Sequence, residues 1–147
     1  MQALMMPAPS LSRRVFVDTA AYFVVANRND VNHTAAGALL RQLVTDHRRL
    51  FTTNYVLTES HALLLIRMGY AVARSFLWGI DHSPSTTIVR VSARDERRAR
   101  AIIEQYDDKA FSLTDATSFA VMERLGISQA FTFDRNFAQY GFTMLPA

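Results

Sequence analysis

The sequence predicts an α/β fold in which a sheet of parallel strands carries helices on both faces. Two observations lead there. Short β-branched and aromatic runs such as Val15-Phe16-Val17 and Thr87-Ile88-Val89 recur along the chain. Between them lie longer stretches whose apolar residues recur at helical spacing. That alternation is the pattern of parallel strands joined by crossover helices. A chain of 147 residues matches a single domain on the usual scale of ~100–200 residues per domain.

The elements follow in order. Residues 1–12, with two prolines and no basic leader, read as a flexible N-terminal tail, and residues 13–147 as one domain. Arg13 to Val17 is the first strand and ends at Asp18; Ala20 to Ala26 is helical. Asn29-Asp30 caps a second helix with a stripe of Ala36, Leu39, Leu40, Leu43 and Val44. Leu50 to Thr53 is the second strand. Thr53 or Asn54 caps a third helix that carries Glu59 and runs to Gly69. A fourth helix reaches Asp81 with Val72, Phe76 and Ile80 inward, and Trp78 is assigned to core or interface. After the Ser83-Pro84-Ser85 turn, Thr87 to Val91 is the third strand. Ser92 opens a helix with Ala99, Ile102, Ile103 and Tyr106 inward and Glu96 paired to Arg100 on a solvated face. Ser112-x-x-Asp115 has capping-box form and Gly126 is a natural C-cap. Gln129 to Phe133 is the fourth strand and ends at Asp134. A short helix through Phe137 and a last strand, Phe142 to Leu145, complete the chain.

Composition narrows the function classes. With no cysteine, disulfide frameworks and Cys-based zinc sites are excluded, and a reducing, cytoplasmic setting is expected. The four histidines lack metal-ligand spacing. No apolar run approaches the ~18 residues of a membrane helix, so no membrane role is expected. Net charge is +3, and fifteen of the sixteen basic residues are Arg, which binds phosphate in bidentate fashion. A nucleic-acid partner is allowed by this charge, not required by it.

The acids carry the chemistry. Asp18 and Asp134 each sit at the carboxyl end of a strand, where open α/β sheets bind ligands at the reversal of strand order. Each also has a purely structural reading: Asp18 and Asp134 as helix caps, Asp115 as the partner of a helix dipole, Glu59 as a helix-surface acid. Gathered in one cleft, such acids would repel by ~3 kcal/mol per pair at about 5 Å and an effective dielectric near 20. Protonation or a divalent cation must relieve that strain, and an all-oxygen donor set suits Mg²⁺ or Mn²⁺.

The motifs V-F-V-D-T-A at Asp18, T-T-N-Y-V-L-T-E at Glu59, S-L-T-D-A at Asp115 and F-T-F-D-R-N-F at Asp134 together resemble the PIN-domain family, in particular its VapC-type toxin ribonucleases. The likeness extends over about residues 14 to 145. It implies a three-layer α/β/α fold with strand order 3-2-1-4-5, which brings Asp18 beside Asp134. It implies a metal-dependent endoribonuclease in which Asp18, Glu59, Asp115 and Asp134 hold one or two Mg²⁺ or Mn²⁺ ions while water attacks phosphorus in line. A homodimer and an antitoxin partner are implied as well. Thr19, Thr114 and Thr132 flank three of the acids and are expected to orient them, and Lys109 and Arg135 are placed to meet substrate phosphate.

Two other readings compete. One is a non-catalytic PIN-like module binding RNA or protein, which RNA binding without metal-dependent turnover would reveal. The other is a phosphotransfer domain of receiver or haloacid-dehalogenase type; the dehalogenase type wants a second Asp at position 20, where this chain has Ala20.

Overall fold

The computed structural model describes residues 13–147; the expected N-terminal tail lies outside them. Five strands form one parallel sheet: β1 (Arg14–Val17), β2 (Arg49–Thr53), β3 (Thr86–Val89), β4 (Gln129–Phe131) and β5 (Thr143–Leu145). Their spatial order is β3-β2-β1-β4-β5, as the family resemblance implies. The chain steps outward from β1 to β3 and returns to β4, so strand order reverses between β1 and β4. Val17 pairs with Phe131 across that seam.

Seven helices accompany the described strands: α1 (Thr19–Ala26), α2 (His33–Thr45), α3 (Asn54–Met68), α4 (Tyr70–Asp81), α5 (Ala93–Gln105), α6 (Leu113–Leu125) and α7 (Asn136–Tyr140). Successive strand residues point to opposite faces, so β1, β2, β4 and β5 each feed two cores. Val15, Val17, Leu50 and Phe131 pack with Ala21, Val24, Ala36 and Leu43 of α1 and α2. Phe16 and Ala130 pack with Ala99 and Ile102 of α5, Phe119 and Met122 of α6, and Phe137 of α7. The result is a three-layer α/β/α sandwich. α6 is its central helix, buried continuously from Ala116 to Met122.

Local chemistry sets most element ends. Thr53 caps α3 by accepting the Val56 N–H at 3.1 Å. Ser112 and Asp115 close the expected capping box at α6. Gly126 ends that helix at φ 67°, a left-handed conformation that costs glycine little. Ser92 and Asp95 form a second capping box at α5.

Several expectations need correction. β4 stops at Phe131 rather than Phe133, because the Thr132 N–H makes the last bond of the β4–β5 ladder, to the Leu145 carbonyl at 3.1 Å, and β5 ends there. Asp134 therefore lies on a turn beyond the strand. β3 ends at Val89, since the Val91 N–H goes to the Asn54 side chain at 2.9 Å. α2 starts at His33, three residues beyond Asp30, whose side chain accepts the Asn32 N–H. Val44 and Ile103, expected inward, are 45% and 36% exposed. Trp78 is 65% exposed and is not core.

On α5, Glu96 takes a hydrogen bond from the Tyr55 hydroxyl rather than an ion pair with Arg100. The strong pair of that helix is Asp95 with Arg124 of α6, at 2.8 and 2.9 Å in bidentate geometry, with Asp95 only 3% exposed. Burial pushes the Asp95 carboxyl up, but hydrogen bonds from Arg124 and Ser92 outweigh it and hold the group below its ordinary value. Arg124→Met keeps the aliphatic stem and strands the carboxylate. Because the guanidinium is partly exposed, the expected loss is about 2 kcal/mol rather than the full cost of a buried pair, or roughly 6 °C in melting temperature. A depressed carboxylate stabilises the fold above its unfolded pKa, and that stabilisation fades as pH falls. The gap between variant and parent should therefore be open at pH 7 and narrow below about pH 4; thermal melts at both values test it.

Candidate active site

The reversal of strand order puts Asp18 and Thr132 side by side, one residue beyond the paired Val17 and Phe131. The Asp18 N–H continues the ladder by donating to the Phe131 carbonyl at 3.1 Å. Asp18 is 4% exposed. Its Oδ2 accepts from the Thr132 hydroxyl at 3.0 Å and, at a long 3.4 Å, from the Ala20 N–H. The cap bond is thus the weaker of the two. Thr132 is fully buried, and its hydroxyl also accepts the Asp134 N–H at 3.0 Å. With its lone pair engaged there, its proton is directed at Asp18, and one hydroxyl links two of the four acids.

Asp115 enters from the first turn of α6. Its Oδ2 accepts from the Ser112 N–H and from the Asn136 side-chain amide, each at 3.2 Å. Asp134 sits on the turn between β4 and α7, where its Oδ1 accepts the Asn136 N–H at 2.9 Å. The three aspartates share a pattern: one carboxylate oxygen is held by protein donors. The other, Oδ1 of Asp115 and Oδ2 of Asp134, has no hydrogen bond among the described residues, while the Asp18 carboxylate also takes the Thr19 backbone N–H.

Their charges are close enough to be felt. Burial pushes the Asp18 carboxyl up to about 7; the bond from Thr132 opposes this, and the negative charge of Asp115 adds to it. Asp115 is also raised, by burial first and by the charge of Asp134 after it, against the opposing bonds from Ser112 and Asn136. An acid held above its ordinary pKa is costly to ionise without a cation.

Glu59 is different. It lies on α3 beside Ser60, whose buried hydroxyl donates to Thr19 Oγ1 at 3.3 Å and ties α3 to α1. Its own carboxylate is exposed and makes no hydrogen bond or ion pair among the described residues. No three Asp, Glu or His side chains among the described residues stand as a finished metal cage. Of the flanking threonines, Thr132 touches a carboxylate and Thr19 bonds Ser60, while the Thr114 carbonyl accepts from Thr117. Lys109 pairs with Asp108 at 3.3 Å, and Arg135 is exposed at the start of α7.

Strand-end acids at this reversal are the setting of the motifs, and the family model for the PIN domain matches residues 15–143. The chain belongs to the PIN-domain family. Among its relatives is the 23S rRNA-specific endonuclease VapC20 of Mycobacterium tuberculosis, 34% identical over 128 residues, covering 87% of this chain and 95% of that protein. A VapC ribonuclease of Archaeoglobus fulgidus is 31% identical over 124 residues, covering 83% of this chain and 78% of that one. The crystal structure of M. tuberculosis VapC20, described as a Sarcin-Ricin loop cleaving toxin, matches with a TM-score of 0.80 at 32% identity, over 88% of this chain and 96% of that chain. The PIN sheet order and the reversal at β1 and β4 are those of the present fold.

Sequence reasoning missed Asn136 and Ser60. Asn136 had a local signal, standing two residues after Asp134 where an Asx turn closes. Its bond to Asp115 spans 21 residues and leaves no sequence trace. Ser60 had none beyond adjacency to Glu59.

Proposed function

We propose that this PIN-domain protein is a metal-dependent endoribonuclease of VapC type, with Asp18, Asp115 and Asp134 as the fixed part of its metal site and Glu59 as the fourth carboxylate. The observation that carries the reading is the set of three aspartates at one end of the sheet, each anchored by protein donors, with one oxygen of Asp115 and of Asp134 free. Hard, all-oxygen donors of this kind fit Mg²⁺ or Mn²⁺. Bound there, such an ion supplies charge neutralisation and a lowered water pKa. The chain's own work is to hold the aspartates in place through Thr132, Ser112 and Asn136. Glu59 is assigned to the site by its motif, on a side chain that is exposed and unconstrained. Thr19 and Thr114 act as supports of the acid-bearing helix starts, and Lys109 and Arg135 meet the phosphates beside the scissile one.

The relatives name the substrate to try first. VapC20 is specific for 23S rRNA, so ribosomal RNA heads the assay. The VapC names also support the toxin role, with a cognate antitoxin as partner and action in the cytoplasm. No helix of the described residues is long and apolar enough to cross a membrane. Ile66, Tyr70 and Trp78, exposed by 81%, 71% and 65%, give the proposed homodimer an apolar face on α3 and α4. A monomer in sedimentation at micromolar concentration would remove the dimer.

Purified protein incubated with ribosomal RNA is expected to cut it at discrete sites with Mg²⁺ or Mn²⁺ and to stop in excess chelator. Cleavage that continues unchanged in chelator would sink the metal-dependent mechanism. Stable RNA binding with no cleavage under any metal would favour the binding-module alternative.

A further inference from the structure

We infer that Asn136 is the positioning residue of the site, the group that locks Asp115 in the orientation a cation needs. The inference rests on the metal-site reading above and deepens it. Asp115 stands on α6, and Asp134 stands on the turn before α7; no strand pairing connects the two. Asn136 is what joins them. Its Nδ2 donates to Asp115 Oδ2 at 3.2 Å, and its backbone N–H donates to Asp134 Oδ1 at 2.9 Å.

The two bonds differ in what they require. The backbone bond to Asp134 is available to any residue but proline. The bond to Asp115 needs a side-chain donor of this length, so it is specific to Asn136. The amide is itself oriented: Nδ2 lies 3.5 Å from the Ala110 carbonyl as well, so both nearby groups are acceptors and the nitrogen end must face them. A carboxylate bound through a single donor pivots about its Cβ–Cγ bond. With Ser112 and Asn136 both on Oδ2, rotation costs two hydrogen bonds to a charged acceptor. Oδ1 is left as the oxygen available to a cation. A neutral amide suits the place: it adds a donor without adding to the crowd of negative charges. Outer partners that orient a ligand in this way set metal affinity by ~10–100-fold.

The test uses the full chain and Mn²⁺ as the probe. Asn136→Leu removes the donor at similar volume, Asn136→Ala removes it without added bulk, and Asn136→His retains a ring N–H near the same point. Mn²⁺ affinity by titration calorimetry is expected to weaken ~10–100-fold in the Leu and Ala variants and to stay within about threefold in the His variant. The Mn²⁺ concentration for half-maximal cleavage should move by the same factor, and KM for RNA at saturating Mn²⁺ should stay within about twofold. Circular dichroism and thermal melts identify any variant that has not folded. Unchanged Mn²⁺ affinity in Asn136→Ala, alongside its loss in Asp115→Asn, overturns the inference and leaves the metal site standing. Equal weakening in the His and Leu variants also overturns it, since shape rather than a donor would then be at issue. If Asp115→Asn itself binds Mn²⁺ as the parent does, the metal site falls and the inference with it.

Discussion

Asp115→Asn is expected to lower RNA cleavage on the order of 10³-fold, which corresponds to the several kcal/mol of charge stabilisation that a correctly held divalent cation contributes. The substitution preserves shape. The amide oxygen can still accept the Ser112 N–H and close the capping box, so α6 keeps its start and its buried core. What is lost is the charge: a neutral group placed where a ligand oxygen was. The loss should therefore lie in turnover and Mn²⁺ affinity with melting temperature nearly unchanged. Single-turnover cleavage of ribosomal RNA over a Mn²⁺ series measures it. A variant that cleaves at the parental rate would place the chemistry elsewhere on the chain.

Asp18→Asn should give the opposite balance, a more stable protein with no activity. Burial holds the Asp18 carboxyl at about 7 against an ordinary 3.8. A carboxyl raised on folding favours the folded state while protonated. Its contribution is whole below about pH 4 and is lost as pH rises through 7, a penalty of about 4 kcal/mol at alkaline pH. Without divalent cation, the parent's melting temperature should fall between pH 5 and pH 8. Asp18→Asn, which has no charge to bury, should not follow it. At pH 8 in chelator the variant should melt higher by on the order of 10 °C. Added Mn²⁺ should raise the parent more than the variant, which keeps Asp115 and Asp134 but lacks the buried anion of Asp18. Parental melting curves that are flat from pH 5 to pH 8 in chelator would contradict this account of Asp18.

Both expectations express one trade. Buried acids close to one another are costly while ionised, and the fold tolerates this because the surrounding donors are built in. Thr132 and Asn136 are the two side chains that most directly reduce the cost.

Much of this was legible in the sequence. The alternation of β-branched runs with helical stripes depends on side-chain shape and on periods of two and 3.6 residues, and both are local properties. So are the caps: Thr53 at α3 and the box of Ser112 with Asp115 at α6 are contacts within four residues. The family resemblance added what local reasoning lacks, the strand order that places Asp18 next to the β4 turn. The weak points were also local in origin. β4 and β3 were read too long because a β-branched or aromatic residue keeps its strand propensity whether or not a partner strand is there to pair with it. Only the fold decides that β5 ends at Leu145, leaving residues after Thr132 without a partner strand, and that the Val91 N–H goes to Asn54.

The site divides along the same line. The four acids and their order along the chain are properties of the sequence. Which oxygen of each aspartate is held, and by what, is a property of the tertiary structure. Thr132 meets Asp18 across 114 residues and Asn136 meets Asp115 across 21. Contacts of that span depend on the register of β1 against β4 and on how α6 lies over the sheet. Glu59 sits at the boundary: its place in the motif sequence is the ground for proposing it as a ligand, yet its side chain is exposed and unconstrained, because one turn of α3 fixes a helix position and not a rotamer. The layers of this protein and the identity of its acids follow from local chemistry along the chain. The tertiary structure alone decided their mutual orientation, because orientation comes from hydrogen bonds between elements that packing, not propensity, brings together.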